Sequence, residues 1–182
     1  MNVAQAVGTI LADLGVRYAF GVVGSGNFHV TNALVAGGAR FVAARHEGGA
    51  ATMADAYARM SDTVSVLSVH QGCGLTNAMT GIAEAAKSRT PMVVLAADVT
   101  EPKSNFYVDQ DALATSVGAV PMRVESAEDA VATAARAYYR AVDDRRTVVL
   151  NLPLPVQAQD VPNHHRLVPS RPAPAARQSD EQ

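Results

Sequence analysis

Three stretches of this chain combine residues able to do chemistry with glycines that let a backbone come close to a ligand: Gly24-Ser25-Gly26-Asn27 with His29 just beyond, Arg45-His46-Glu47-Gly48-Gly49, and His70-Gln71-Gly72-Cys73-Gly74-Leu75-Thr76-Asn77. Glu47 offers a carboxyl group that can hold or pass a proton. It also falls where a helix opens, so on pattern alone it could do no more than cap that helix and meet its dipole. Cys73, with His70 close by, suggests a thiolate nucleophile. A nucleophile elbow, however, wants glycine two residues before and two after the nucleophile, and here those positions are Gln71 and Leu75. The blander reading is a small side chain in a glycine-rich turn. Gly24-Ser25-Gly26, with the acid Glu47 roughly 20 residues downstream, has the beginnings of a dinucleotide fingerprint. The third glycine would fall on His29, whose ring blocks the close helix–strand packing that the pattern serves.

These stretches need elements to position them, and the chain alternates strand and helix patterns as a parallel α/β sheet does. Apolar residues at Val3, Ala6, Val7, Ile10, Leu11 and Leu14 follow a helical repeat, with Asn2 and Gln5 as a capping box and Gly15 as the stop. Strands are expected at 18–23, 41–44, 64–69, 92–96, 120–124 and 147–152. Helices are expected from Phe28 to about Gly37, after Glu47, from about Thr76, and from a Ser126 cap with Asp129 to about Val142. The strands are rich in Val and Leu without strict alternation, as when helices cover both faces. The expectation is a three-layer α/β fold around a six-stranded, mostly parallel sheet, with each of the three stretches ending a strand and opening a helix. In such sheets ligands collect outside the carboxyl ends of the strands. A polar connection runs from Asp98 to Asp111. From about residue 157 to 182 prolines and mixed charges read as an unpacked linker, leaving residues 1–156 as the domain.

Composition sets the boundaries. The chain has 182 residues, 48% hydrophobic and 18% charged, which suits one domain with a substantial core. A formal net charge of −2 with no basic block argues against nucleic acid as a partner. One cysteine cannot form an internal disulfide, which fits a reducing, cytoplasmic compartment. The first cationic side chain is Arg17, so the signal-peptide order is lacking, and no apolar run approaches the roughly 20 residues that cross a bilayer.

The string Arg45-His46-Glu47-Gly48-Gly49-Ala50-Ala51-Thr52-Met53-Ala54-Asp55-Ala56-Tyr57-Ala58-Arg59 resembles the R-H-E-x-x-A-x-x-M-A-D-x-Y-A-R of acetolactate synthases and their relatives. Gln71-Gly72-Cys73-Gly74-Leu75-Thr76-Asn77-Ala78 resembles their S-G-P-G-x-T-N-A, with Cys73 in place of proline. Gln110 falls where the family often has F-Q-E, and Val148 to Pro153 is similar to its V-x-x-D-L-P. The likeness covers about residues 2–156. It implies the pyrimidine-binding N-terminal domain of a thiamine-diphosphate enzyme of the acetolactate-synthase/2-oxoacid-decarboxylase superfamily, with the thiamine-diphosphate-binding fold.

The resemblance further implies that Glu47 hydrogen-bonds the pyrimidine of thiamine diphosphate. A carboxyl group taken partly out of water can share a proton with a ring nitrogen and so activate the cofactor. It places Gly24, Ser25 and Gly26 in a first turn beside the cofactor, and Gly72, Cys73, Gly74, Thr76 and Asn77 around the pyrimidine. Asn27, His29, His70 and Gln110 become candidates to contact a 2-oxoacid substrate. The family generally holds the diphosphate through Mg²⁺ on a second domain with a G-D-G signature, and this sequence contains no Gly-Asp-Gly. The expectation is therefore no metal on this chain and half an active site, inactive without a partner domain. A homodimer, or a complex with a chain bearing the diphosphate-binding domain, would complete it, meeting the helices from Gly48 and Thr76. The alternative is a fold-retaining, non-catalytic module that pairs with another chain.

Overall fold

The computed structural model describes residues 1–162, in the order α1 (Val3–Asp13), β1 (Tyr18–Gly21), α2 (Phe28–Ala36), β2 (Arg40–Ala43), α3 (Glu47–Ser61), β3 (Ser65–Val69), α4 (Cys73–Lys87), β4 (Met92–Asp98), α5 (Gln110–Ser116), β5 (Val120–Arg123), α6 (Ala130–Asp143), β6 (Thr147–Pro153) and α7 (Leu154–Gln157). The six strands form one sheet in the order β2-β1-β3-β4-β6-β5, and every pairing is parallel. Helices α1, α2 and α6 pack on one face and α3, α4 and α5 on the other, each layer with its own apolar cluster. β3, β4 and β6 are buried along their whole length, which explains their Val- and Leu-rich runs. Among the described residues no helix is long and apolar enough to cross a membrane.

The topology dictates where a ligand can go. From β1 the chain crosses to β2 on one side, then to β3 on the other, so the strand order reverses at β1. Register places Gly21 of β1 opposite both Ala43 of β2 and Ser68 of β3. The loops after these strands therefore emerge side by side, at the kind of switch point where parallel sheets leave a crevice. All three glycine-bearing stretches meet there.

The capping box of α1 is formed: Asn2 Oδ1 accepts the Gln5 N–H at 2.9 Å, and Gln5 Oε1 accepts the Asn2 N–H at 3.0 Å. Four differences from the sequence reading have local causes. α4 starts at Cys73 rather than Thr76, because Gly72, at φ 60° and ψ −100°, turns the chain into the helix three residues after β3. α5, which begins at the end of the polar connection and runs to Ser116, is not among the expected helices, being only seven residues long and too short for a periodic signal. α6 begins at Ala130, because Ser126 and Asp129 hydrogen-bond each other's backbone N–H and close a turn ahead of the helix. Residues 157–161, expected to begin an unpacked linker, are part of the folded unit. Gln157 is buried with Nε2 donating to Leu152 O at 2.8 Å, Val3 N–H donates to Gln159 O at 2.9 Å, and Val161 N–H donates to Met1 O at 3.0 Å. The rest of the expected tail, 163–182, lies outside the described residues.

α3 and α4 come close because the residues between them are small. A Cβ on Gly81 would lie 2.5 Å from Ala51 Cβ and 3.1 Å from Ala51 C. Asp55 anchors the far end of α3: its carboxylate accepts Thr90 Oγ1 at 2.6 Å and Arg59 Nε at 3.0 Å, while Arg59 Nη2 reaches Glu84 at 3.0 Å and Ser88 at 2.6 Å. Overpacking this contact with Gly81→Ala should destabilise the domain by roughly 1–3 kcal/mol. A lowering of the thermal midpoint by several degrees would register it; an unchanged midpoint would mean that the helices separate freely.

Candidate functional site

Glu47 is the first residue of α3, after the N-cap His46, whose Nδ1 accepts the Gly48 N–H at 3.0 Å. Its carboxylate sits at the positive end of the helix dipole, half-buried. Thirty positions on, Asn77 of α4 donates from Nδ2 to Glu47 Oε2 at 3.0 Å. Glu47 Oε1 makes no hydrogen bond among the described residues. A Cβ on Gly74 would stand 3.6 Å from that oxygen and 3.1 Å from the His70 Cβ, so the absent side chain leaves the acid and the imidazole a shared approach. One oxygen is thus held and the other is free to meet a donor or a ring nitrogen.

His70 immediately follows β3 and is half-buried. Its Nδ1 accepts the Gly26 N–H at 3.3 Å, which leaves the proton of the neutral ring on Nε2. Burial lowers its pKa from the ordinary 6.5, and the nearby Glu47 carboxylate opposes that shift. Phe106, from the connection between β4 and α5, packs edge-on against the ring at a centroid distance of 5.5 Å. The same connection closes over Gly72: a Cβ there would meet the Phe106 carbonyl oxygen at 2.2 Å, so close approach and positive φ both require glycine.

The structure therefore brings together Glu47, Asn77, Gly72, Cys73, Gly74, His70 and the turn at Gly24-Ser25-Gly26. Thr76 lies on the same helix start, exposed, with Oγ1 donating to Cys73 O at 3.1 Å. Cys73 is exposed, and no hydrogen bond reaches its Sγ among the described residues, so the nucleophile reading lacks a positioned base.

Three of the residues expected to contact a substrate lie apart from the free face of Glu47 or are engaged within the fold. Asn27 is fully buried and holds the turn: Oδ1 accepts the Gly24 N–H at 2.8 Å, and Nδ2 donates to Val22 O at 3.2 Å and Ser68 Oγ at 2.9 Å. Both of its Nδ2 hydrogens are committed within the fold. His29 is exposed on α2, bordering a 380 Å³ depression with Met1, Gln5 and Thr9, on the sheet face opposite to α3 and Glu47. Gln110 is also buried, its amide spent on Gly72 N–H at 3.2 Å, Ala97 O at 3.2 Å and Asn151 Oδ1 at 2.8 Å.

Beyond Gln110 lies a polar group that pattern reading passed over. Asn151 Nδ2 donates to Asp111 Oδ1 at 2.5 Å, Asp111 Oδ2 accepts Arg123 Nη2 at 3.1 Å, and Arg123 Nη1 donates to the buried Asp98. Burial works against the Arg123 charge, but the hydrogen bonds it donates to the two carboxylates, with their charges, outweigh it and raise its pKa. The available signal was a lone asparagine inside Thr147-Val148-Val149-Leu150-Asn151-Leu152.

Residues 1–120 match the family model described as thiamine pyrophosphate enzyme, N-terminal TPP binding domain. The chain is similar to the acetolactate synthase large subunit of Haemophilus influenzae, 35% identical over 156 residues that cover 82% of this chain and 27% of that protein. It is 33% identical over 170 residues to a protein named probable 2-ketoarginine decarboxylase from Pseudomonas aeruginosa, covering 88% of this chain and 30% of the relative. It thus spans under a third of the length of these relatives. In fold it is similar to the thiamine diphosphate-dependent 4-hydroxybenzoylformate decarboxylase of Rhodococcus jostii RHA1. The TM-score is 0.83 at 23% identity, over 97% of this chain and 34% of that one.

The His70 environment yields a titration. In NMR spectra its imidazole should titrate below 6.5, and Glu47→Gln, by removing the opposing charge, should lower its pKa further. A His70 pKa that rises in that variant would contradict the geometry. Because the folded value lies below the unfolded one, the related stability is present above pH 6.5 and is lost as pH falls below it.

Proposed function

On the premise that this chain belongs to the thiamine pyrophosphate enzyme N-terminal TPP-binding domain family, acetolactate-synthase-like in sequence, we propose that it supplies the pyrimidine-side half of an active site for 2-oxoacid lyase or carboligase chemistry. The observation that carries this reading is the Glu47 carboxyl, with one oxygen held by Asn77 and the other bond-free beside the opening at Gly74. The residues fit an aminopyrimidine: a carboxyl oxygen for a ring nitrogen, and a glycine where a planar ring would need room. Thiamine diphosphate, when bound, supplies a carbon nucleophile and an electron sink for bond cleavage next to a carbonyl.

The chain's own residues have distinct tasks in this reading. Glu47 Oε1 holds or passes the proton at the pyrimidine nitrogen, and Asn77 keeps the carboxyl aimed. Gly72, Cys73 and Gly74 wall the ring's pocket, with Thr76 at its rim and Gly24, Ser25 and Gly26 across from them. His70, with Nδ1 occupied by the Gly26 N–H, would have its Nε2 proton to offer a substrate. Diphosphate and Mg²⁺ would be held by another domain or chain, a role supported by the chain's spanning 27% and 30% of its relatives. That partner, or a second copy, would cover the exposed first turns of α3 and α4 around Gly49, Thr52 and Thr76. Residues 1–161 would form the domain.

The test is Glu47→Gln in the assembled enzyme. Turnover should fall by about 10²-fold or more, the scale of positioned proton transfer, with cofactor still bound. Unchanged turnover would overturn the assignment and leave the fold as an assembly module. By calorimetry with thiamine diphosphate and Mg²⁺, the chain alone should bind weakly and gain affinity once its partner is added.

A further inference from the structure

We propose that Asp111 and Asn151 are positioning residues for the glycine loop, orienting the Gln110 amide so that its oxygen holds the Gly72 N–H and sets the first turn of α4. The proposal rests on the reading of that loop as the pyrimidine pocket. Its geometry is a directional chain of hydrogen bonds. Asp98 and Asp111 flank Arg123, and an ionised carboxylate only accepts. Asn151 must therefore turn its amide nitrogen to Asp111, 2.5 Å away. That leaves Asn151 Oδ1 to accept from Gln110 Nε2 at 2.8 Å, while the other Nε2 hydrogen goes to Ala97 O at 3.2 Å. With both of its N–H bonds committed, Gln110 has only Oε1 to offer Gly72 N–H, at 3.2 Å. Reversing any one amide would set donor against donor in a buried site.

The end of the chain matters because Gly72 is buried and its conformation is one that only glycine adopts readily. Such backbone persists where its surroundings over-determine it. The Gly72 carbonyl accepts the Thr76 N–H at 3.0 Å, the first hydrogen bond of α4. Gly74 and Asn77, which define the space and the partner at Glu47, follow on that same turn. Among the described residues, Asp111 and Asn151 make no side-chain hydrogen bond to those assigned to the cofactor; they act through Gln110.

The test is an exchange of chemistry between the two residues. Asn151→Asp alone puts two carboxylates face to face. The double variant Asp111→Asn/Asn151→Asp restores an amide–carboxylate pair in which Asn still accepts from Arg123 and Asp still accepts from Gln110. Amide hydrogen exchange on the full chain is the readout, with Val93 and Val94 of β4 as internal references. Gly72 should exchange about tenfold faster or more in Asn151→Asp, the scale of a buried donor losing its acceptor, and return to within about threefold in the double variant. Equal Gly72 exchange in parent and Asn151→Asp, or no recovery in the double variant, overturns the proposal. If Asn151→Asp fails to fold, Asp111→Ala, which removes the acceptor without adding charge, should show the same acceleration at Gly72, and its absence is equally fatal. In the assembled enzyme, thiamine diphosphate affinity should fall and recover in parallel. Gly72 responding while affinity does not would instead overturn the loop's assignment to the cofactor.

Discussion

Between α3 and α4 there is no room for a methyl group at Gly81, and the site exists because of that contact. Two helices whose starts belong to different crossovers are held near enough for Asn77 to hydrogen-bond Glu47 across 30 positions of sequence at 3.0 Å. Larger side chains at the crossing would move the acid from its partner. The alanine and glycine content of Glu47–Ser61 and Cys73–Lys87 is therefore a positional requirement more than a matter of helix propensity, since glycine inside a helix costs about 0.8–1.0 kcal/mol relative to alanine. The Asp55–Thr90 bond and the Arg59 contacts lock the other end of the same helix pair.

The sheet beneath supplies the second constraint. The reversal of strand order at β1 opens the crevice, and the register of Gly21 with Ala43 and Ser68 brings three loops to one level. Within that crevice, buried polar groups divide the work. Asn27 closes the first turn, Gln110 closes the glycine loop, and both are used up in doing so. Glu47 and His70 keep atoms free for something else. Satisfied buried hydrogen bonds specify one arrangement, and Asn27 and Gln110 each anchor a loop in this way, whereas the buried Gln71 Oε1 has no partner among the described residues.

Much of this was legible in the sequence. The six strands, their order of alternation with helices and the meeting of the three glycine-bearing stretches follow from apolar runs and turn residues. The placement of Glu47 at a helix start also reads directly from Arg45-His46-Glu47-Gly48-Gly49. What was not legible depends on distance through space. Asn27 and Gln110 become candidate ligand contacts through the family resemblance; only the fold shows their amides turned inward onto backbone and onto Ser68 and Asn151. The Asp98–Arg123–Asp111–Asn151 group joins β4, β5, α5 and β6, and no local pattern announces a network assembled from four elements. α5 escaped because seven residues hold barely two turns of periodicity. The packing of residues 157–161 onto the N-terminus escaped because prolines and charges there read as linker.

The central claim is that the free face of the Glu47 carboxyl is a seat for a pyrimidine ring. It is tested most directly by titrating 4-amino-2-methylpyrimidine, without diphosphate, metal or partner, into isotopically labelled chain and following the side-chain resonances of Glu47 and Asn77. The account predicts saturable shifts at the Glu47 carboxyl carbon, the Asn77 amide, His70 and Gly74, abolished in Glu47→Ala. Shifts centred elsewhere on the surface, or shifts identical in that variant, would contradict it.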